Sequence, residues 1–121
     1  MKANAKVSNR GEAPVTKQFF VTAIDNYFSG WGRARDKKNL LIFLCDSLEE
    51  AQRLSKYAVS RPEISHVHLK NQRPYMLSES RLRNKIESFV FKNYFVQVVS
   101  KPEFIFWYNG GKHINGPELC K

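Results

Sequence analysis

The residues best equipped for chemistry stand together in one short stretch, Asn26–Lys38 (NYFSGWGRARDKK). Arg33, Arg35, Lys37 and Lys38 follow directly on Tyr27, Phe28 and Trp31, with Gly30 and Gly32 on either side of the tryptophan. Guanidinium and ammonium groups neutralise phosphates, and aromatic rings stack on unpaired bases. The pattern therefore points to nucleic acid, with Trp31 as the stacking ring. A structural reading stands beside it. The rings can tuck under a sheet, while the glycines supply backbone angles closed to other residues. Both readings hold together if the aromatics are packed and the basic tip is presented. Gly30-Trp31-Gly32 is too short to be a phosphate-cradling loop.

Three further cations, Arg81, Arg83 and Lys85, crowd the first turns of an expected helix. The helix macrodipole disfavours positive charge there, so helix stability does not account for them. They join the candidate nucleic-acid contacts. Asp25, Asp36 and Lys38 define a metal-dependent alternative, in which the carboxylates hold a divalent ion and the lysine opposes charge at a scissile phosphate. A carboxylate at a strand end followed by Asp-x-Lys resembles the PD-(D/E)xK nucleases. The proline before the first Asp is absent, however, and Asp36 precedes a strand rather than sitting in one. His66 and His68 project from one side of an expected strand, as two metal ligands can. A third ligand would have to come from His113, Cys45 or a distant carboxylate, and an ordinary exposed strand face explains the pair as well. No Walker loop, dinucleotide fingerprint, zinc-protease helix or nucleophile elbow occurs. The chain reads as non-enzymatic, with a divalent metal required only by the nuclease alternative.

Composition frames these candidates. The 121 residues suffice for one domain, and a 42% apolar fraction with 13% aromatics can build its core. Twenty Lys and Arg against 11 Asp and Glu give a net charge of +9, which favours an anionic partner. Cys45 lies in an apolar run and reads as a small buried hydrophobe. Cys120 stands near the other end of the sequence, so a disulfide scaffold is not expected. Met1–Lys17 has no continuous apolar core, which argues against a secretory signal. The longest apolar run, Leu40–Cys45, is far too short to span a bilayer. No membrane partner is expected.

The elements that must position the candidates follow from hydrophobic period. Residues 1–17 have none and read as a flexible basic arm, followed by a single domain over 18–110 and a tail over 111–121. Gln18–Ile24 alternates as a strand, and Asn39–Cys45 is a continuous apolar strand covered on both faces. Ser47 and Glu50 form a capping box that opens a helix with an apolar stripe of Leu48, Ala51, Leu54 and Ala58; Pro62 stops it near Arg61. Ile64–Lys70 is a third strand. Asn71–Leu77 is a loop around Pro74. A second helix is expected from Ser78 to about Phe91, burying Leu82, Ile86, Phe89 and Val90. Tyr94–Ser100 and the aromatic Phe104–Tyr108 then read as a closing hairpin, with Phe104–Tyr108 serving as core or partner interface. The expected class is α+β. It is a single domain with a mostly antiparallel sheet of four to five strands, two helices on one face and the order β-β-α-β-α-β-β. The second strand, first helix and third strand suit a split βαβ arrangement.

Tyr27-Phe28-Ser29-Gly30-Trp31-Gly32-Arg33-Ala34, then Cys45-Asp46-Ser47-Leu48-Glu49-Glu50-Ala51 and Arg61-Pro62-Glu63, resembles a group of small uncharacterised proteins of tailed bacteriophages. The likeness covers about Phe19–Pro74 and, more weakly, the region of Trp107. The group carries no activity or site to transfer. The resemblance implies an origin in a phage or mobile element, a bacterial cytoplasm, and one of two roles: binding nucleic acid, or binding and inhibiting a host protein.

Overall fold

Phe19–Asp25 forms the first strand, β1, and Lys38–Cys45 the second, β2. They pair antiparallel in unbroken register from Phe19 opposite Cys45 to Asp25 opposite Asn39. The computed structural model describes residues 18–111 and 113–117, so the expected arm and Cys120 lie outside the described residues. The chain continues through α1 (Leu48–Ser60), β3 (Ile64–Lys70), α2 (Glu79–Arg83), β4 (Ser88–Phe91), β5 (Tyr94–Val99) and α3 (Lys101–Tyr108). The five strands make one sheet in the order β3-β1-β2-β5-β4. It is mixed: β2 and β5 run parallel, and the other pairs are antiparallel. The fold is a single α+β domain. β1 lies between β2 and β3 and is antiparallel to both, so the β2-α1-β3 connection has the split βαβ form.

Both faces of the sheet are covered, which explains why β1 and β2 are apolar on both sides. Val21, Ala23, Leu41, Phe43 and Cys45 meet Ala51, Leu54 and Ala58 of α1 and Phe104 and Trp107 of α3. Phe20, Ile24, Leu40, Ile42 and Val96 meet Leu77, Met76 and Leu82 on the other face. The helices are therefore not confined to one face. Each fully buried side chain of this size contributes about 1.5–3 kcal/mol. Cys45 is buried among them, and burial pushes its thiol up to about 12, so it stays protonated near neutral pH.

α1 is capped as its sequence requires: the Glu50 N–H donates to Ser47 Oγ at 3.1 Å. The Glu50 carboxylate accepts from the N–H of Asp46, one residue before the cap, at 2.9 Å. Arg61 ends the helix just ahead of Pro62.

Two elements differ from expectation. The second helix stops at Arg83, and Lys85 adopts a left-handed φ of 54°. Ser88–Phe91 instead pairs with β5, Ser88 opposite Gln97 and Phe91 opposite Tyr94. A helical period ran through Leu82, Ile86 and Phe89, but Ser-Phe-Val-Phe also suits a strand, and β5 offers it an edge. Phe104–Tyr108 is not a strand. It belongs to α3, which buries Phe104 and Trp107 three residues apart on one face. Ring contacts fix that choice: Trp107 stacks on Phe43 at 5.6 Å and meets Tyr57 edge-on at 4.9 Å.

Candidate nucleic-acid interface

The β1–β2 connection is tied down from within. Asp25 closes β1 and is buried. Its Oδ1 accepts the Tyr27 N–H at 3.0 Å, and its Oδ2 accepts from Asn39 Nδ2 at 3.1 Å across the strand pair. Ser29 Oγ donates to the Asp25 carbonyl at 2.7 Å and accepts the Asn39 N–H at 2.9 Å. Burial raises the Asp25 carboxyl above its ordinary value, and these hydrogen bonds offset only part of that rise. Asn26 reaches sideways to Ser65 Oγ and the Glu63 carbonyl.

Beyond this anchor the chain turns on Gly30 (φ 82°), Gly32 (φ 56°) and Asp36 (φ 63°), with a single 3-10 turn over Gly32–Ala34. Only Ala34 is buried in that turn. The Gly30 N–H donates to the Lys37 carbonyl and the Lys37 N–H to the Ala34 carbonyl, at 2.9 and 2.8 Å. The loop backbone is thus closed on itself.

The rings split between packing and presentation. Tyr27 lies parallel to the His113 imidazole, with centroids 4.1 Å apart, and edge-on to Phe28 at 4.7 Å. Phe28 meets Trp31 at 4.9 Å. A Cβ on Gly116 would come within 2.8 Å of Trp31 Cζ3 and 2.9 Å of Phe28 Cε1, so only glycine lets this segment back the two rings. Trp31 nevertheless stays 45% exposed and Tyr27 59%. His113 is itself placed: its Nδ1 sits 3.2 Å from Glu63 Oε2, and Glu63 pairs with Arg61 at 2.8 Å. Burial pushes the Glu63 carboxyl up, but its own N–H and the Arg61 guanidinium outweigh that, and its pKa lies below the ordinary value. Residues 113–117, read from sequence as part of a tail, contribute His113, the buried Ile114 and Gly116 to this arrangement.

The cations stand on this frame. Arg35 and Lys38 are exposed, Lys37 is half-buried, and Arg33 lies over the Phe95 ring at 5.1 Å. The Lys38 N–H donates to the Asn93 carbonyl at 2.9 Å, which brings the β4–β5 turn and its exposed Lys92 to the same end of the sheet. Lys92 was missed by sequence reasoning because it fell behind a helix expected to run to Phe91. The signal that would have found it is Lys-Asn between two apolar runs, a hairpin turn; Lys92 has a φ of 54°.

Arg81, Arg83 and Lys85 are elsewhere. Arg81 and Lys85 line a groove at the opposite end of the sheet with Asp46, Glu87 and Lys101, groups of both signs. Arg81 donates to the Met76 carbonyl at 2.8 Å and covers the Phe89 ring at 4.0 Å, and Arg83 faces Glu79 at 3.8 Å. The two groups of cations are not brought together.

The metal alternatives find little support in the geometry. Both Asp25 oxygens are engaged by the loop anchor, whereas Asp36 is exposed at the tip. His66 falls at a bulge in the β1–β3 register, with φ 55°, and its Nδ1 lies 3.0 Å from Ser65 Oγ. Among the described residues no group of three His, Cys, Asp or Glu side chains is arranged to hold a metal ion. No described helix is long and apolar enough to cross a membrane. No family model, curated protein or solved structure matches the chain.

Proposed function

We propose that the loop end of the sheet binds nucleic acid, and that the protein is a non-enzymatic accessory factor of a phage or related mobile element, at work in the cytoplasm of a bacterial host. One observation carries the reading. Arg35, Lys37, Lys38 and Lys92, from two separate connections, lie at one end of the sheet beside Arg33, and none of those four is paired with a carboxylate among the described residues. Elsewhere Arg61, Arg83 and Lys101 have acidic partners, while Arg53, Lys56, Lys70, Arg73, Arg81 and Lys85 have no ion pair among the described residues; what sets the loop end apart is that its four such cations come together from two connections. Charge left unmatched on a rigid frame suits a phosphate backbone. The test is a mobility-shift series in increasing salt. Binding at low salt that weakens steeply as salt is added is the expected result; absent or salt-insensitive binding overturns the reading.

A second reading has its own observation. α3 leaves Ile105, Phe106 and Tyr108 exposed, Phe106 by 70%. Such an apolar surface suits a protein partner, for which a host factor is the candidate. Recovery of a stable complex from host lysate after nuclease treatment, lost in Phe106→Ser, supports it; recovery of nothing removes it.

A further inference from the structure

Phosphate-seeking cations do not distinguish one strand from two, but aromatic rings do. A duplex keeps its base faces stacked on one another, whereas a single strand can turn a base out onto a protein ring. We infer that the ligand of the loop end is single-stranded nucleic acid, held by bases stacked on Trp31 and Tyr27 while the neighbouring cations track the backbone. This rests on the nucleic-acid reading above and narrows it to one class of ligand.

The preparation of the two rings supports this choice. Each is exposed, and each is backed by a fixed neighbour. Trp31 rests on Phe28 and Gly116, and Tyr27 on His113, which Glu63 and Arg61 hold in turn. Phe28 touches both, so the two exposed rings flank one buttress. The backbone beneath Trp31 is also fixed: its N–H donates to the Phe28 carbonyl at 3.0 Å, and its carbonyl accepts from Ala34 at 2.9 Å. A ring held only for the core would be covered, as Trp107 is at 1% exposure. Here hydrogen bonds, two positive-φ glycines and a close-packed glycine hold large aromatic surface in place without hiding it. A base stacking on such a platform orders little protein on binding, which favours affinity.

The two tryptophans make the inference measurable, because Trp107 is buried and Trp31 is not. The full chain is titrated at low salt with oligo(dT), oligo(U) and a duplex of equal phosphate count, following tryptophan emission. A Trp31→Phe protein supplies the Trp107 background. Single strands are expected to quench Trp31 and to bind about tenfold tighter than the duplex, with the two oligonucleotides reporting any DNA or RNA preference. Trp31→Ala is expected to cost about tenfold in single-strand affinity and less than about twofold for the duplex. Gly116→Ala, which displaces the Trp31 ring while leaving every aromatic and cationic residue in the sequence, is expected to lower single-strand affinity selectively. Equal affinity for both forms, single-strand binding without quenching, or an inert Trp31→Ala overturns the inference. If both forms then bind with steep salt dependence, the cationic reading survives alone; if neither binds, both fall.

Discussion

The two ends of the sheet carry similar numbers of cations and use them differently. At the α2 end Arg81 and Lys101 are engaged within the protein, whereas Lys85 is exposed. Arg81 satisfies the Met76 carbonyl and covers Phe89, and Lys101 bridges Asp46 and Glu50. At the loop end the structural work is done by neutral or acidic groups: Asp25, Asn39, Ser29 and the glycines. Arg35, Lys37, Lys38 and Lys92 there have no carboxylate partner among the described residues. Charge density read from sequence cannot tell these situations apart, because each depends on what lies across space from the guanidinium.

The largest expected effect separates the ends directly. Replacing Arg35, Lys37, Lys38 and Lys92 together by Ala should lower single-strand affinity by about two to three orders of magnitude near 0.1 M salt, and reduce the salt slope by about 3. The triple change Arg81→Ala, Arg83→Ala and Lys85→Ala should leave both within about twofold, apart from a general charge effect. Binding isotherms at several salt concentrations decide it. Equal losses from the two sets would erase the distinction.

Next in size is the anchor. Asp25→Ala leaves the Tyr27 N–H and the Asn39 amide without their acceptor in a buried site, and should cost about 2–4 kcal/mol in urea denaturation. Asp25→Asn should cost less. Asn39 Oδ1 has no hydrogen-bond partner among the described residues, so the Asn39 amide can turn over and accept from the new side-chain NH2. A nuclease reading would instead make Asp25→Asn harmless to stability and lethal to any metal-dependent nicking. At the far end, Arg81→Ala should cost about 1–3 kcal/mol, through the lost carbonyl bond and the uncovered Phe89 ring, with nucleic-acid affinity unchanged. A stable variant with weakened binding would reverse the roles assigned to the two ends.

What could be read from sequence divides along the same lines. β1, β2, α1 and β3 were legible because local pattern and tertiary demand agree there. Alternation runs through Phe19–Ile24, Ser47 and Glu50 mark the α1 start, and Pro62 marks its end. The α+β class and the split βαβ unit followed. Past Leu77 that agreement ends. Ser88–Phe91 satisfies a helical stripe and a strand equally, and only the free edge of β5 decides between them. In α3 the run Phe-Ile-Phe-Trp-Tyr outweighed a start signal that was present, Ser100-Lys101-Pro102-Glu103, which is a capping-box spacing with proline in the first turn. At the candidate site the loop was legible, but Asp25 was read as a candidate metal ligand rather than as the anchor its contacts with Tyr27 and Asn39 make it. The approach of Lys92, the separation of Arg81–Lys85 and the backing of Trp31 by Gly116 are contacts between distant segments, with no local signature.

The smallest expected effect lies within the loop end, between its two partly or wholly buried carboxylates. Burial raises the pKa of Asp25 above 3.8, so its contribution to stability is full below pH 3.8 and is lost as pH rises through the raised value. Glu63 runs the other way. Despite burial, its own N–H and Arg61 hold its pKa below 4.5, so its contribution is present above pH 4.5 and is lost as pH falls through the lowered value. Urea midpoints measured across about pH 3–7 should therefore diverge in sign between two variants. On acidification the wild type should gain on Asp25→Asn and lose ground to Glu63→Gln. Two difference curves of the same slope would mean that Asp25 is not kept uncharged-favouring by its burial, and that the anchor under the loop is an ordinary exposed ion rather than the desolvated one its contacts describe.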